Sequence, residues 1–128
     1  MKIWAIDTNI ELKNCDATVI KSKEKIQDYI IQLCKKLNIE RFGDCSISQF
    51  TNYDRHTIQA VQMAQFEIIY GYFDVANLLA HISIFSECPF DMNIFLDVTQ
   101  EVFGTNDAVA IRNNKFAEWR EEIVTSDL

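Results

Sequence analysis

The sequence predicts an α+β fold: a two-layer α/β sandwich in which a mainly antiparallel sheet carries two helices on one face. Three observations lead there. The periodic segments run strand, helix, strands, helix, strand, and the strands between the two helices are joined by short polar turns, as hairpins require. A chain of 128 residues with 48% hydrophobic content fills one core and is too short for two. Three glycines, one proline and no repeat or low-complexity tract leave no room for a linker. A single domain over 1–128 is expected, with 113–128 as a short amphipathic tail.

The first segment, 2–13, alternates Ile3 and Ala5 against Trp4 and Ile6 before Ile10, a strand with both faces at least partly covered. Ser22 then suits an N-cap with Glu24 in the first turn, and Ile26, Tyr29, Ile30, Leu33, Cys34 and Leu37 form one helical stripe. The exit falls in 38–43, where Gly43 can take a positive φ. Two β-rich runs follow, 45–51 and 57–73, with the polar stretch 52–56 as a hairpin loop. The second run is long for one strand and is expected to bend or bulge within 65–68. After a turn at 74–77, Leu78, Ala80, Ile82 and Ile84 share one strand face, and Leu79, His81, Ser83 and Phe85 share the other. Asp91 caps a second helix with Ile94, Phe95, Val98 and Val102 as its buried stripe, and Gly104 ends it. A last strand over 107–112 and the tail around Phe116 and Trp119 complete the chain.

Composition removes several function classes. A net charge of −7 opposes binding to nucleic acid polymers, and the one basic cluster, 21–36, is interrupted by Glu24 and Asp28 as on a solvated helix face. No window nears the roughly 18 apolar residues of a membrane span. The N-terminal segment lacks a signal-peptide core because Asp7 interrupts it, so no membrane association and a cytoplasmic location are expected. Cysteines 15, 34, 45 and 88 form no Cys-x-x-Cys pair and are expected as reduced thiols. No metal is expected, because ligand types do not cluster. No strand–glycine-rich turn–helix unit is present for a dinucleotide or a P-loop.

One stretch carries more. From Gln65 the chain reads Gln-Phe-Glu-Ile-Ile-Tyr-Gly-Tyr-Phe-Asp, and after a turn Ala80-His81-Ile82-Ser83-Ile84-Phe85-Ser86-Glu87-Cys88-Pro89-Phe90-Asp91. Together with Asn14-Cys15-Asp16 and the 33–43 end of the first helix, this resembles the divergent branch of the prokaryotic S-adenosylmethionine decarboxylases over roughly residues 3–112. In that family a Glu-Ser bond cleaves itself and the serine becomes a pyruvoyl group. Here 65–73 contains no Ser, Thr or Cys, and Ile68 stands at the serine's position. The family's processing histidine would fall within 70–72, where there is none. Glu87 holds the place of the catalytic cysteine, with Cys88 one residue on, and a one-residue shift along a strand reverses the face. The resemblance therefore implies a scaffold for S-adenosylmethionine or a derivative with no pyruvoyl cofactor. It also implies a homodimer or homotrimer with sites at the interface.

The candidate catalytic residues are Glu67, Tyr70 and Tyr72, and the candidate substrate-binding residues are Phe50, Phe66, His81 and Glu87. Glu67 lies in an apolar run, where a carboxylate needs a cation or water. A sulfonium or ammonium would serve, and so would an Arg or Lys of a neighbouring protomer. Tyr70 and Tyr72 lie on the face opposite Glu67 in a regular strand. They can orient a carboxylate or attract a sulfonium, or act simply as core or interface aromatics. Gly71 between them can admit a ligand or a second backbone. Phe50, near the family's adenine-stacking ring, and Phe66 offer stacking surfaces or core packing, and His81 has no triad or metal partners in the sequence.

Two functions follow. The first is a lyase: the substrate's own carboxylate displaces its sulfonium, giving methylthioadenosine, or its nucleotide derivative, and homoserine lactone. Lyases of this kind occur in phages and in antiviral systems that destroy a nucleotide conjugate of the same molecule. The second is a catalytically inactive module that binds S-adenosylmethionine or a decarboxylase partner and regulates it. A decarboxylase processed elsewhere, at Ser46, Ser48 or Ser83, would run as two fragments.

Overall fold

The computed structural model describes residues 3–116. The elements are β1 (Ile3–Leu12), α1 (Ala17–Ile20), α2 (Lys23–Leu37), β2 (Ser46–Asn52), β3 (Arg55–Met63), β4 (Glu67–Asp74), β5 (Leu79–Ser86), α3 (Met92–Phe103) and β6 (Ala108–Phe116). The strands form one sheet in the order β2-β3-β4-β5-β1-β6, with every neighbouring pair antiparallel. The predicted α+β two-layer sandwich is therefore the fold, with a third, single-turn helix added.

The sheet is two-faced because its side chains alternate. Ile10, Leu12, Ile58, Ala60, Ile69, Phe73, Ile82 and Ile84 point to one side and are buried against Ile26, Tyr29, Ile30 and Leu33 of α2 and Phe95, Val98 and Phe103 of α3. Ser22 caps α2 by accepting from Lys25 N (3.2 Å). The left-handed residue that ends α2 is Asn38 (φ 56°), whose N–H reaches the Cys34 and Lys35 carbonyls, and not Gly43, whose φ of 75° lies further along the loop. Asp91 caps α3 by accepting from Asn93 N, and Gly104 closes it at φ 64°. Its buried stripe is Phe95, Val98, Thr99 and Phe103, whereas Ile94 and Val102 are half-buried on its flanks.

Three further expectations are corrected. The long run 57–73 is not one bent strand: β3 and β4 form an antiparallel hairpin that turns at 64–66, closed by Ala64 N to Glu67 O (3.1 Å). Residues 113–116 extend β6 along β1 and are not part of a tail, while Trp119 lies outside the described residues. Gly71 faces the core, not a ligand: a Cβ there would lie 2.6 Å from the Phe73 ring, which stacks on Phe103. No helix among the described residues is long and apolar enough to cross a membrane.

Candidate functional site

The 64–66 hairpin shapes the site. Phe42 N donates to Met63 O (2.8 Å) and Glu87 N donates to Phe66 O (2.9 Å), so the loop after α2 and the end of β5 are both tied to this corner. Buried Gln62 fixes it from beneath. Its Nε2 donates to the Gly43 (3.0 Å) and Met63 (2.8 Å) carbonyls, while its Oε1 accepts from Arg41 Nε (3.0 Å). Every polar atom of that amide is used, as a buried amide requires.

Beside the corner lies a cavity of about 260 Å³ lined by Trp4, Met63, Ala64, Gln65, Phe66, Glu67, Ile68, Phe85 and Glu87. Trp4 and Phe85 meet edge to face at 5.6 Å. Its two carboxylates, Glu67 and Glu87, stand among aromatic and aliphatic walls. Burial, aided by the nearby Glu87 charge, pushes the Glu67 carboxyl above its ordinary value, against the lowering effect of the Phe66 N–H. An apolar recess with two carboxylates and aromatic faces favours an organic cation. None of its lining residues is a Ser, Thr or Cys.

Three of the predicted residues therefore meet here: Phe66, Glu67 and Glu87. The others do not join them within one chain. Tyr70 and Tyr72 point to the face away from the helices, in line with Ile68. Tyr72 and His81 line a second cavity of about 460 Å³ further along that face, with Glu11, Lys13, Asp74 and Asp107. There His81 Nδ1 lies 3.2 Å from Glu11 Oε1, and the His81 ring lies 5.9 Å from that of Tyr70. Phe50, on the edge strand β2, is level with Thr57 and hence with Asp74, seven residues along β4 from Glu67, or ~23 Å at strand rise. Cys88 is exposed and its N–H is engaged by Ser86 Oγ, and it does not line the first cavity. Among the described residues no three His, Cys, Asp or Glu cluster to hold a metal.

Trp4, Met63 and Phe85 were missed from sequence. Each reads there as an ordinary strand residue, and only the register that brings β1, β3, β4 and β5 together at one end shows them sharing a wall.

No family model matches the chain, and no curated protein matches it. Among solved structures, the crystal structure of the adenosylmethionine decarboxylase from Aquifex aeolicus VF5 superposes with a TM-score of 0.76 over 94% of this chain and 97% of that one, at 15% identity. The two proteins share a fold, an adenosylmethionine decarboxylase-like sandwich.

Proposed function

We propose that this chain binds S-adenosylmethionine or a nucleotide conjugate of it at the Glu67 cavity and cleaves it without a pyruvoyl group, as a lyase. The observation that carries the reading is the cavity itself: carboxylates and aromatic rings suited to a cation, with no hydroxyl or thiol among its lining residues. The chemistry asks little of the protein. An oxygen of the substrate carboxylate attacks the γ-carbon, the carbon–sulfur bond breaks, and its electron pair goes to sulfur. Methylthioadenosine, or its nucleotide derivative, and homoserine lactone are released, with no proton or water taken up.

A negative and a positive charge cancel along this path, so apolar surroundings speed it relative to water, and Trp4, Phe66 and Phe85 supply them. Glu67 then serves by holding the substrate's α-ammonium, which folds the aminobutyrate chain for attack. The cavity opens beside Ile68 on the uncovered face of the sheet, two residues from Tyr70. A second copy of the chain on that face, in a homodimer or homotrimer, would enclose the ligand and bring Tyr70 and Tyr72 into the site.

Incubation of the intact chain with S-adenosylmethionine, followed by chromatography with mass detection, tests the reading. Methylthioadenosine and homoserine lactone without carbon dioxide are expected, with kcat/KM falling roughly 10- to 100-fold in Glu67→Gln through the lost charged hydrogen bond. Bound but unchanged substrate would replace the lyase with a non-catalytic binding module. Conversion unaffected by Glu67→Gln would remove the site assignment.

A further inference from the structure

We infer that Ser86 is a positioning residue: it fixes Glu87 in the wall of the Glu67 cavity as a second anionic contact, so that the site selects a ligand with two positive centres over one that carries an ammonium alone. This rests on the reading of the Glu67 cavity as a site for S-adenosylmethionine and adds what sets its selectivity.

Ser86 is the last residue of β5 and is fully buried, level with Glu67 on β4 and Ile6 on β1. Its hydroxyl reaches forward along its own chain. The Oγ accepts from Cys88 N (3.0 Å) and donates to Cys88 O, so one side chain closes the turn that contains Glu87. From the other side Glu87 N donates to Phe66 O (2.9 Å), which ties the same residue to the β3–β4 corner. Side chains alternate along an extended chain, so the inward turn of Ser86 sends Phe85 and Glu87 the other way, and both line the cavity. The fixing matters because Glu87 is exposed. A solvated glutamate samples many rotamers, and a fixed backbone is what keeps its carboxylate beside one recess.

What Glu87 adds is a second negative charge. It is close enough to help push the Glu67 carboxyl above its ordinary value, so the pair repels unless positive charge lies against it. One cation relieves one carboxylate. S-adenosylmethionine carries two positive centres, an ammonium and a sulfonium a short carbon chain apart. With Glu67 on the ammonium, the sulfonium falls to Glu87 among the Trp4, Phe66 and Phe85 rings. A thioether of the same shape, neutral at sulfur, leaves Glu87 unmatched. The sulfonium charge disappears during cleavage, so a carboxylate facing it acts in binding and in the choice of ligand, not in breaking the bond.

Equilibrium binding to the full chain under reducing conditions tests this with two probes that differ at sulfur, S-adenosylmethionine and the neutral thioether S-adenosylhomocysteine. The parent chain is expected to prefer the sulfonium by about tenfold, and Glu87→Gln to erase most of that preference by weakening S-adenosylmethionine alone. Ser86→Ala should reduce the preference in the same direction. The double variant Ser86→Ala/Glu87→Gln should then match Glu87→Gln, because Ser86 acts through the group already removed. Ser86→Cys, close in size but a weak donor and acceptor, gives the same reading should Ser86→Ala fail to fold. A merely structural serine would weaken both probes alike and add to Glu87→Gln, which overturns the inference. So does a sulfonium preference that Glu87→Gln leaves unchanged. In either case S-adenosylmethionine binding that still weakens in Glu67→Gln leaves the cation site standing. Binding of neither probe, or binding indifferent to Glu67→Gln, overturns the cation site and this inference with it.

Discussion

Glu67 is a carboxylate held partly out of water, with no Lys, Arg or His within ion-pair distance among the described residues. Burial is the larger cause of its raised pKa and the Glu87 charge the smaller. Because the folded-state value exceeds the unfolded one, the group favours the folded chain at low pH. That contribution is lost as pH rises through the folded value. Glu67→Gln should therefore melt at a higher temperature than the parent at pH 7, with the gap closing below about pH 4, where both states bind the proton. A variant that melts lower at pH 7 would mean the carboxylate is stabilised by a partner. A cation ligand, by the same reasoning, binds less well as pH falls through the raised value. The residue was legible in the sequence because a lone carboxylate in the run Phe66 to Ile69 demands an explanation. Glu87 was named from the resemblance alone, since only the end of β5 tied to Phe66 brings it beside Glu67.

Between elements, α2 and α3 are joined by a buried hydrogen bond, Tyr29 Oη to Thr99 Oγ1 at 2.6 Å, while the threonine donates onward to Phe95 O at 2.7 Å. The tyrosine hydroxyl, fully buried, is thus a donor with one acceptor. Thr99→Val leaves it unpaired and should cost about 1–3 kcal/mol in chemical denaturation, more than Tyr29→Phe, which removes the donor itself. Equal costs would show that water replaces the threonine. Sequence periodicity locates both helices. Of its α3 stripe, Ile94, Phe95, Val98 and Val102, the structure buries Phe95 and Val98 and adds Thr99 and Phe103, because a threonine that donates to its own helix can be buried where hydropathy alone does not place it. The β3–β4 hairpin escaped for a related reason. Its turn, Ala64-Gln65-Phe66, has no Gly, Pro, Asn or Asp, and is held by backbone pairing of Ala64 with Glu67 and Arg41. The single turn of α1 is too short for a periodic signal and depends on the Asp16 carboxylate accepting from Thr18 N and Oγ1. Those bonds also hold the Asp16 carboxyl below the usual carboxylate range.

At the scale of the molecule, one face of the sheet has no covering layer among the described residues of a single chain. Across it Phe50, Val61, Met63, Ile68, Tyr70, Tyr72, Leu79, Val109 and Ile111 are all exposed, a contiguous apolar surface of the kind a monomer rarely leaves in water. Two charged side chains on it are already paired, Asp7 Oδ1 accepting from Ser83 Oγ at 3.1 Å and Glu11 meeting His81, so covering those two need not strand a buried charge. A self-complementary patch on every copy makes a symmetric homo-oligomer the economical cover. Light scattering on the purified chain is expected to give two or three copies, and Val61→Lys, which sets like charges at the centre of the face, to give monomers that retain the parent's circular dichroism. If sites form only when a second copy covers Tyr70 and Tyr72, the same variant also loses turnover of S-adenosylmethionine. A parent chain that is monomeric at high concentration would instead confine the chemistry to the Glu67 corner. In that case the uncovered face would require a different partner.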